Sequence, residues 1–289
     1  LGLFIGIARL SNNYLVAKLA GGYIEIFRNI PVLLQIFFWY NIFINIFPHP
    51  KKSFSFFDIA FLNQRGLYLP KPILENGFLL VIIAFVVGII LTIFMKRYFK
   101  KKHDETGVYT RTFGYSTLLV IGLPAVLFLL LGSPLSFDFA VLGKFNLKGG
   151  MQVVPEFIAL TFALSVYTAT YIAEAIRSGI EAVDKGQKEA AAAIGLTQTQ
   201  SLKLIILPQA LRVAIPPTIN QYLNLTKNSS LATAIGYPEL MGAFGGTVLN
   251  QVGQAVEILG MAMLVYLFIS LSISLLLNFV NKRMAIPGR

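Results

Sequence analysis

Long apolar blocks dominate the chain, and they constrain its fold more than any other feature. A membrane-crossing helix needs about 20 mostly apolar residues. Five blocks come close to this length or reach it, at residues 30–47, 77–95, 117–132, 157–176 and 258–279. Only 13% of the 289 residues are charged, whereas a soluble domain carries roughly 25%. The pattern predicts a polytopic α-helical membrane protein.

Two weaker apolar blocks extend the count. Residues 1–10 have the character of the end of a longer helix, so we expect part of the N-terminal sequence to be missing. Residues 213–236 contain Pro216 and Pro217, which we expect to break the helix. Together with the five longer blocks, they predict about seven spans in an all-α fold.

The basic residues favour one side of the membrane. Segments 8–22, 96–113, 177–212 and 282–289 hold 16 of the 24 Lys and Arg residues, and the alternate segments 49–76, 133–154 and 237–255 hold six. An excess of Lys and Arg marks cytoplasmic loops, so we expect the first set and the C-terminus in the cytoplasm. The basic run 96–102 predicts contact with anionic lipid headgroups. The net charge of +11 therefore indicates the lipid bilayer and not nucleic acid.

The composition excludes several kinds of chemistry. There is no cysteine, and the two histidines, His49 and His103, fall in polar segments. We therefore expect no metal centre and no catalytic residue. The chain has no GxxxxGK[ST] phosphate loop, so any ATP chemistry must belong to another chain. A membrane enzyme would need a cluster of His, Asp or Glu, and the sequence shows no such cluster.

A secondary transporter driven by an ion gradient remains the alternative function. Such a transporter predicts an internal repeat, which the sequence does not show.

Residues 177–212 are the most informative segment. The sequence QKEAAAAI at residues 187–194 strongly favours a helix. Gly195 would end that helix, and Thr197 with Gln200 matches a capping box for the next one. Pro208 is expected to interrupt the apolar run that follows. The alanine face of this helical hairpin either admits the backbone of another protein or packs against the chain's own spans.

This hairpin resembles the EAA loop of ABC-importer permeases. The family pattern EAA-x3-G-x9-I-x-LP is met at every fixed position, from Glu189 to Pro208. The resemblance implies a type I ABC-importer permease fold whose cytoplasmic loop docks on a separate ATPase subunit. It implies polar contacts there for Glu189 and a tight turn at Gly195. The residues assigned to ATPase coupling are Glu189, Ala190, Ala191, Gly195, Leu196, Leu207 and Pro208.

A second block narrows the family. Residues 23–40 are similar to the E-x-x-R-x-x-P-x-x-x-Q signature of polar amino-acid permeases of the histidine/glutamine type, with Glu25, Arg28, Pro31 and Gln35 at the matching positions. Residues 61–70, 171–177 and 227–230 resemble the general L-amino-acid and glutamate/glutamine/aspartate/asparagine branch. The resemblance implies a single permease domain over residues 1–289, with a family-specific insertion at about 42–150.

The same resemblance implies the function and its partners. The chain would be the permease subunit of an ATP-driven importer of L-amino acids in the bacterial inner membrane, and we expect these to be polar or acidic. A second permease, identical or related, would complete the path. A pair of ATPase subunits would bind ATP and Mg in the cytoplasm, and a periplasmic binding protein would deliver the amino acid. This chain itself is expected to bind no cofactor.

Ionisable residues near membrane depth are costly and rare. Glu25 and Arg28 are three residues apart on one predicted helix, and Glu174 and Arg177 repeat this spacing. Pairs at this spacing can interact on one helix face. We therefore predict two structural ion pairs near the cytoplasmic ends of their spans.

Asn220, Asn224, Lys227 and Asn228 follow one side of a predicted helix, which we expect to face the interior of the bundle. A lysine among amides can hold a carboxylate through charge-assisted hydrogen bonds. These residues either line a substrate path or join helices by hydrogen bonds. Gln35 has the same two interpretations.

Overall fold

The computed structural model describes residues 1–107, 111–143 and 146–284. Lys144 and Arg289, which enter the charge comparison, lie outside these residues. The chain divides into two compact units. The first contains Leu1–His49, Asn63–Gly66 and Val153–Arg289 as far as it is described, and the second contains Pro50–Leu62 and Leu67–Gln152.

Helices make up most of the described chain. In chain order they are α1 (Gly2–Arg9), α2 (Tyr14–Asn29), α3 (Val32–Asn45), α4 (Phe78–Thr106), α5 (Phe113–Thr117), α6 (Leu123–Leu130), α7 (Pro155–Glu181), α8 (Lys185–Ala193), α9 (Gln198–Ser201), α10 (Leu207–Asn228), α11 (Leu249–Val252) and α12 (Ala255–Met284). Wider π-helical turns occupy Leu118–Gly122, Leu202–Ile206 and Gly242–Val248, and a 3₁₀ turn occupies Ser229–Ile235.

Five helical segments are long and apolar enough to cross a membrane: Phe78–Thr106, Phe113–Leu130, Pro155–Glu181, Gln198–Ile235 and Ala255–Phe279. The consecutive helices α2 and α3 meet at 103° and supply a sixth span if the bent pair counts as one. The prediction of a polytopic helical membrane protein is confirmed. The described residues give five or six spans instead of about seven, because residues 1–10 contain only the short helix α1.

The bent pair starts earlier in the chain than the sequence predicts. Residues 8–22 were expected to be a loop, yet α2 begins at Tyr14. The helix mixes polar and apolar residues, so a search for apolar blocks does not detect it. The predicted span at 30–47 starts only at Val32, because Pro31 disfavours helical backbone at the preceding residue. Ile30 is accordingly extended, with φ −92° and ψ 129°.

Helix α7 forms the centre of the first unit. Half of the residues in its apolar stretch are buried, and the helix packs against α1, α2, α3 and α10. One core cluster joins Ile36 of α3 to Leu160 and Leu164 of α7. A second cluster joins Ile176 and Ile180 of α7 to the start of α10. These four helices are arranged around α7.

Small residues let the backbones of α1 and α7 approach closely. Gly2 and Gly6 are spaced as in a GxxxG motif, which favours tight helix pairs in membranes. A methyl group at Gly2 would lie 2.9 Å from the carbonyl oxygen of Ala169, and one at Gly6 would lie 2.7 Å from that of Ala173. Residues larger than glycine therefore do not fit at these two positions without moving α1 away from α7.

The prolines do not interrupt the long helix as the sequence suggested. Residues 198–235 form one continuous helical segment. The π-helical turn Leu202–Ile206 precedes Pro208, and such a turn inserts one extra residue into the helix where a proline cannot supply its N–H. Pro216 and Pro217 lie inside α10. Local adjustment allows membrane helices to pass through proline, and α10 continues past both prolines to Asn228.

In the second unit, α4 packs against the segment formed by α5, the π-helical turn and α6. The contact is closest at Gly88, where an added Cβ would lie 2.2 Å from the carbonyl oxygen of Leu119. Leu119 lies in the π-helical turn just before the buried Pro124. Most of the surface of both segments remains exposed, which suits contact with lipid.

Short strands, which the sequence did not predict, occupy segments expected to be loops. They are β1 (Phe54–Phe56), β2 (Ala60–Asn63), β3 (Gly66–Leu69), β4 (Lys71–Leu74), β5 (Leu135–Asp138), β6 (Val141–Leu142), β7 (Leu147–Lys148) and β8 (Met151–Val153). One sheet has the order β1-β2-β3-β8, and β4-β5 and β6-β7 form two-stranded ribbons. Strands this short, paired partly across 60 residues or more of sequence, leave little periodicity to detect.

We expect Gly88→Ala to destabilise the second unit, because the added methyl group would overlap the Leu119 carbonyl. Overpacking of this kind costs about 1–3 kcal/mol, and a lower midpoint of thermal unfolding of the detergent-solubilised protein would report it. Gly114→Ala is the matched control, since an added Cβ at Gly114 meets no atom within 4 Å. Equal unfolding midpoints for the two variants would contradict this packing.

Candidate functional site

The first half of the candidate site is the α8–α9 hairpin, residues 185–206. The side chain of Asp184 caps α8 by accepting a hydrogen bond from the Gly186 N–H at 2.7 Å. At the other end, the N–H of Leu196 bonds to the carbonyl of Ala191 at 3.1 Å, and that of Gly195 to Ala192 at 3.0 Å. This is a Schellman ending. It needs the left-handed backbone of Gly195, whose φ is +79°, so the predicted helix stop is confirmed.

The second half of the hairpin starts with the predicted capping box, which is also confirmed. The Gln200 N–H donates to the Thr197 hydroxyl at 3.3 Å, and the Thr197 N–H donates to the Gln200 side-chain oxygen at 2.9 Å. From there the helix runs through the π-helical turn into α10 without a break. The second half of the hairpin is thus a direct extension of the long helix that contains α10.

The hairpin exposes one face and buries the other. Glu189 and Ala190 are exposed, while Ala191 is fully buried and Leu196 is half-buried. Ile194 at the tip is 73% exposed. At the root, Leu207 is half-buried and Pro208 is exposed. The alanines therefore divide between the two interpretations. Ala191 packs against the chain's own residues, and Ala190 faces outward, where another protein could approach.

The inner side of the hairpin is only partly filled. A cavity of about 760 Å³ separates it from the turn between α1 and α2. Ser11 and Val16 line one wall, and Lys188 and Leu196 line the other. The described contacts of α8 come mainly from α9 and the π-helical turn, with one side-chain hydrogen bond from Gln209 to Gln187 at 3.3 Å. The hairpin is accordingly held at its root more than along its length.

The two predicted ion pairs differ in the structure. Arg177 bonds to Glu174 at 2.5 Å and to Glu181 at 2.6 Å, so it bridges two carboxylates that lie about two turns apart on α7. Glu25 and Arg28 are both exposed on α2, and no ion pair joins them. A spacing of three residues permits such a pair but does not require it, because exposed charges gain little from pairing.

The polar residues of α10 are exposed instead of facing the chain's own bundle. Asn220, Asn224 and Lys227 lie on the exposed surface, whereas Asn228 is half-buried. Lys227 borders an open cavity of about 700 Å³ whose other walls are formed by α12, including Tyr266 and Ser270. The expectation that these side chains point into this chain's own interior is therefore wrong. They form a polar stripe on a membrane-spanning helix, with Pro216 and Pro217 also exposed on that helix.

Gln35 lies apart from this stripe, at the bend between α2 and α3. Its side-chain amide donates to the carbonyl of Phe27 at 2.7 Å and to that of Ile30 at 3.0 Å. These carbonyls belong to the last turn of α2 and its cap, which Pro31 separates from α3. The side chain is buried, and its oxygen has no protein partner. Gln35 thus stabilises the bend and leaves one acceptor unused.

Glu239 is a polar centre that sequence reasoning missed. Its carboxylate accepts hydrogen bonds from the Met241 and Gly242 N–H groups at 2.8 and 2.6 Å, from the Tyr266 hydroxyl at 2.8 Å, and from the Thr233 hydroxyl. Burial alone would raise the pKa of Glu239, but these hydrogen bonds together hold its pKa below the usual value. The carboxylate fixes the segment after α10 against α12. Only its lone position between two apolar blocks could have drawn attention to it.

Among the residues that the structure describes, no group of three or more His, Asp or Glu side chains is placed to hold a metal ion. The site therefore consists of an exposed hairpin joined to α10 and a polar stripe farther along the same helix.

Comparison with known families identifies this arrangement. Residues 106–286 match the family described as the binding-protein-dependent transport system inner membrane component. The chain belongs to this family. The permease is thus a membrane-embedded transport component and not an enzyme, which confirms the function class indicated by the sequence.

Curated relatives support the same assignment. The permease is 54% identical to the putative amino-acid ABC transporter permease protein YhdX of Escherichia coli strain K12, over 100% of this chain and 74% of that protein. It is 50% identical to the general L-amino acid transport system permease protein AapQ of Rhizobium johnstonii, over 100% and 72%. It is 39% identical to the glutamate/glutamine/aspartate/asparagine transport system permease protein BztB of Rhodobacter capsulatus, over 98% and 73%.

A solved structure agrees on the fold. The crystal structure of an amino acid ABC transporter with histidines aligns with a TM-score of 0.54 and 20% identity, covering 98% of the permease and 83% of that chain. The predicted fold class, a helical ABC-importer permease, is confirmed.

Proposed function

We propose that the permease imports L-amino acids, polar or acidic ones, as one subunit of an ATP-driven ABC transporter. The observation that carries this proposal is the exposed α8–α9 hairpin, which is continuous with the span bearing the polar stripe. The substrate class is supported by relatives at 39–54% identity, which are named for amino acids in general or for glutamate, glutamine, aspartate and asparagine.

In this proposal the hairpin docks into a groove on a separate ATPase subunit. Glu189 and Ala190 face outward with Ile194, so they can meet the ATPase, where Ala190 permits close backbone approach. Ala191 and Leu196 face inward and hold the hairpin in shape. Gly195 supplies the turn, and Leu207 and Pro208 form the root from which the hairpin projects.

ATP and Mg bind the ATPase pair in this proposal, and the permease itself binds no cofactor. Closure of the ATPases would push on the hairpin and on the helix that continues from it. The resulting change is a shift between two conformations of the bundle. Such a shift requires the ATPases to favour one conformation by a few kcal/mol over the other.

The substrate path is proposed to run along the exposed stripe of α10. Asn220, Asn224 and Lys227 would face a second permease, identical or related, across a polar path that excludes lipid. Asn228 lies at the margin of the stripe. Gln35, with its unused buried oxygen, is a more distant candidate on the same path.

The remaining partners and the orientation follow from the family and the charge bias. The family is that of inner-membrane components of binding-protein-dependent systems, which supports delivery of the amino acid by a periplasmic binding protein. The excess of Lys and Arg in the hairpin segment and its companion loops supports a cytoplasmic hairpin and C-terminus. In this proposal residues 1–289 act as one permease domain, and the insertion at about 42–150 is part of it.

We expect Gly195→Asp to abolish ATP-driven uptake while the protein still reaches the membrane at normal levels. The substitution places a charged side chain at the turn of the docking surface. Uptake of labelled amino acid into proteoliposomes containing the whole transporter would measure it.

Gly107→Asp is the matched control for that experiment. Gly107 also has a left-handed backbone, with φ +69°, and also has no atom within 4 Å of an added Cβ, so it should retain uptake. Normal transport by the Gly195 variant, or equal losses in both variants, would argue against docking through the hairpin.

We expect Lys227→Ala to reduce uptake of acidic amino acids more than uptake of neutral ones, because the ammonium group would no longer hold the extra carboxylate. Lys227→Arg should keep most of the discrimination, since it retains the charge. Initial uptake rates for aspartate and glutamine in the same proteoliposomes provide the comparison. Equal loss for both substrates would remove the proposed role of this lysine.

A further inference from the structure

The β4–β5 ribbon of the second unit has two chemically different faces. Its register pairs Leu74 with Leu135 and Pro72 with Phe137. Residues directly opposite one another in an antiparallel pair share a face, so these four form one face that is entirely apolar. Lys71 pairs with Asp138 and Ile73 with Ser136 on the other face, which therefore mixes polar and apolar residues.

On its β5 side, the mixed face of the ribbon contacts the rest of the second unit. The Asp138 carboxylate accepts a hydrogen bond from the Gly150 N–H at 3.0 Å. Asp138 and its strand neighbour Ser136 are half-buried. On the apolar face Leu135 is half-buried, but Leu74 is 60% exposed and Phe137 is 49% exposed. Phe139, just beyond β5, extends this face and contacts Phe137 with ring centroids 6.4 Å apart.

The ribbon joins directly to two lipid-facing spans. Only residues 75–77 separate β4 from α4, and residues 131–134 separate α6 from β5. The two links are hydrogen-bonded to each other from the Glu75 N–H to the Pro134 carbonyl at 3.2 Å. Both links turn through left-handed residues, at Gly77 and at Gly132 with Ser133, where the chain leaves the direction of the helices.

The length of α4 sets the depth of the ribbon. The apolar part of α4, residues 78–95, spans about 27 Å at about 1.5 Å per residue, close to the roughly 30 Å of a bilayer's hydrocarbon core. Phe78 therefore lies near one boundary of that core. Leu74, four residues earlier, is at most about 14 Å away along the chain. The headgroup zone beyond the core is roughly 5–8 Å thick on each side. Because the link turns at Gly77, it covers less than its full reach, so the ribbon begins in or beside that zone.

We propose that the apolar face formed by Pro72, Leu74, Leu135 and Phe137 rests on the bilayer, at the boundary between phospholipid headgroups and acyl chains. The face adjoins the exposed spans α4 and α6 through links of three and four residues, and it carries no charged residue. A docking surface for a soluble protein partner would instead be expected to combine an apolar centre with a polar rim. The ribbon thus acts as an interfacial anchor for the span pair, independently of the substrate that the permease carries.

Site-directed spin labelling can test this anchor, because the natural chain has no cysteine. Phe137→Cys and Leu74→Cys place labels on the apolar face, and Lys71→Cys places a control label on the opposite face of the same ribbon. The complete transporter in phospholipid nanodiscs is then probed with oxygen, which concentrates in the bilayer, and with a water-soluble nickel chelate.

We expect labels at residues 137 and 74 to give a positive depth parameter, with more access to oxygen than to the chelate, and the label at residue 71 to give a negative one. Equal chelate access at residues 137 and 71 would overturn the proposal. So would loss of oxygen access at residue 137 on addition of a substrate-loaded binding protein, which would make the face a protein-docking surface. Two labelled positions on the apolar face guard against a single variant that fails to assemble.

Discussion

Close contact between helix backbones along α7 is the constraint on which the first unit depends. Lipid tails are as apolar as leucine, so burial of apolar side chains does not by itself drive helices together in a membrane. Van der Waals packing must do so, and it is strongest where small residues let backbones meet. The contacts of Gly2 and Gly6 with α7, and of Gly179 with α10, where an added Cβ would lie 2.5 Å from the Ala210 carbonyl oxygen, satisfy this requirement.

The position of the hairpin follows from the same contact. Gly179 lies two residues before the end of α7, and Ala210 lies just beyond the π-helical turn, so the α7–α10 contact holds both roots of the hairpin. The cavity along its inner side leaves its length less constrained. A force applied at the tip therefore acts on α7 and α10 together, and α10 carries the polar stripe. In the proposed function, one continuous helix would therefore join the docking surface to the substrate path and provide a physical route for coupling.

Much of this arrangement could be predicted from the sequence, because its signals are local. Apolar blocks locate spans, and the hairpin is specified by Gly195 together with the Thr197–Gln200 capping box. Other features depend on context. Helix α2 is too polar to be recognised as an apolar block. The continuation of the long helix through Pro208 and Pro216 depends on local backbone adjustments that the residue pattern does not predict.

Long-range pairing explains the remaining differences. The four hydrogen bonds to Glu239 include one from Tyr266, on another helix, and the β4–β5 ribbon joins strands more than 60 residues apart. The sequence also could not predict that Asn220, Asn224 and Lys227 are exposed. The spacing shows that these residues share one side of a helix, but it does not show what that side contacts. Glu25 and Arg28 show the converse, since a permissive spacing did not produce a contact.

The most direct test of the central claim is chemical cross-linking from the tip of the hairpin. Ile194→Cys carries a photoreactive maleimide reagent in the actively transporting complex, and Leu264→Cys, exposed on α12, serves as the control. If the hairpin docks on a separate ATPase subunit, we expect a cross-linked product between residue 194 and that subunit, and none from residue 264. Full transport activity with no ATPase captured from residue 194 would contradict it.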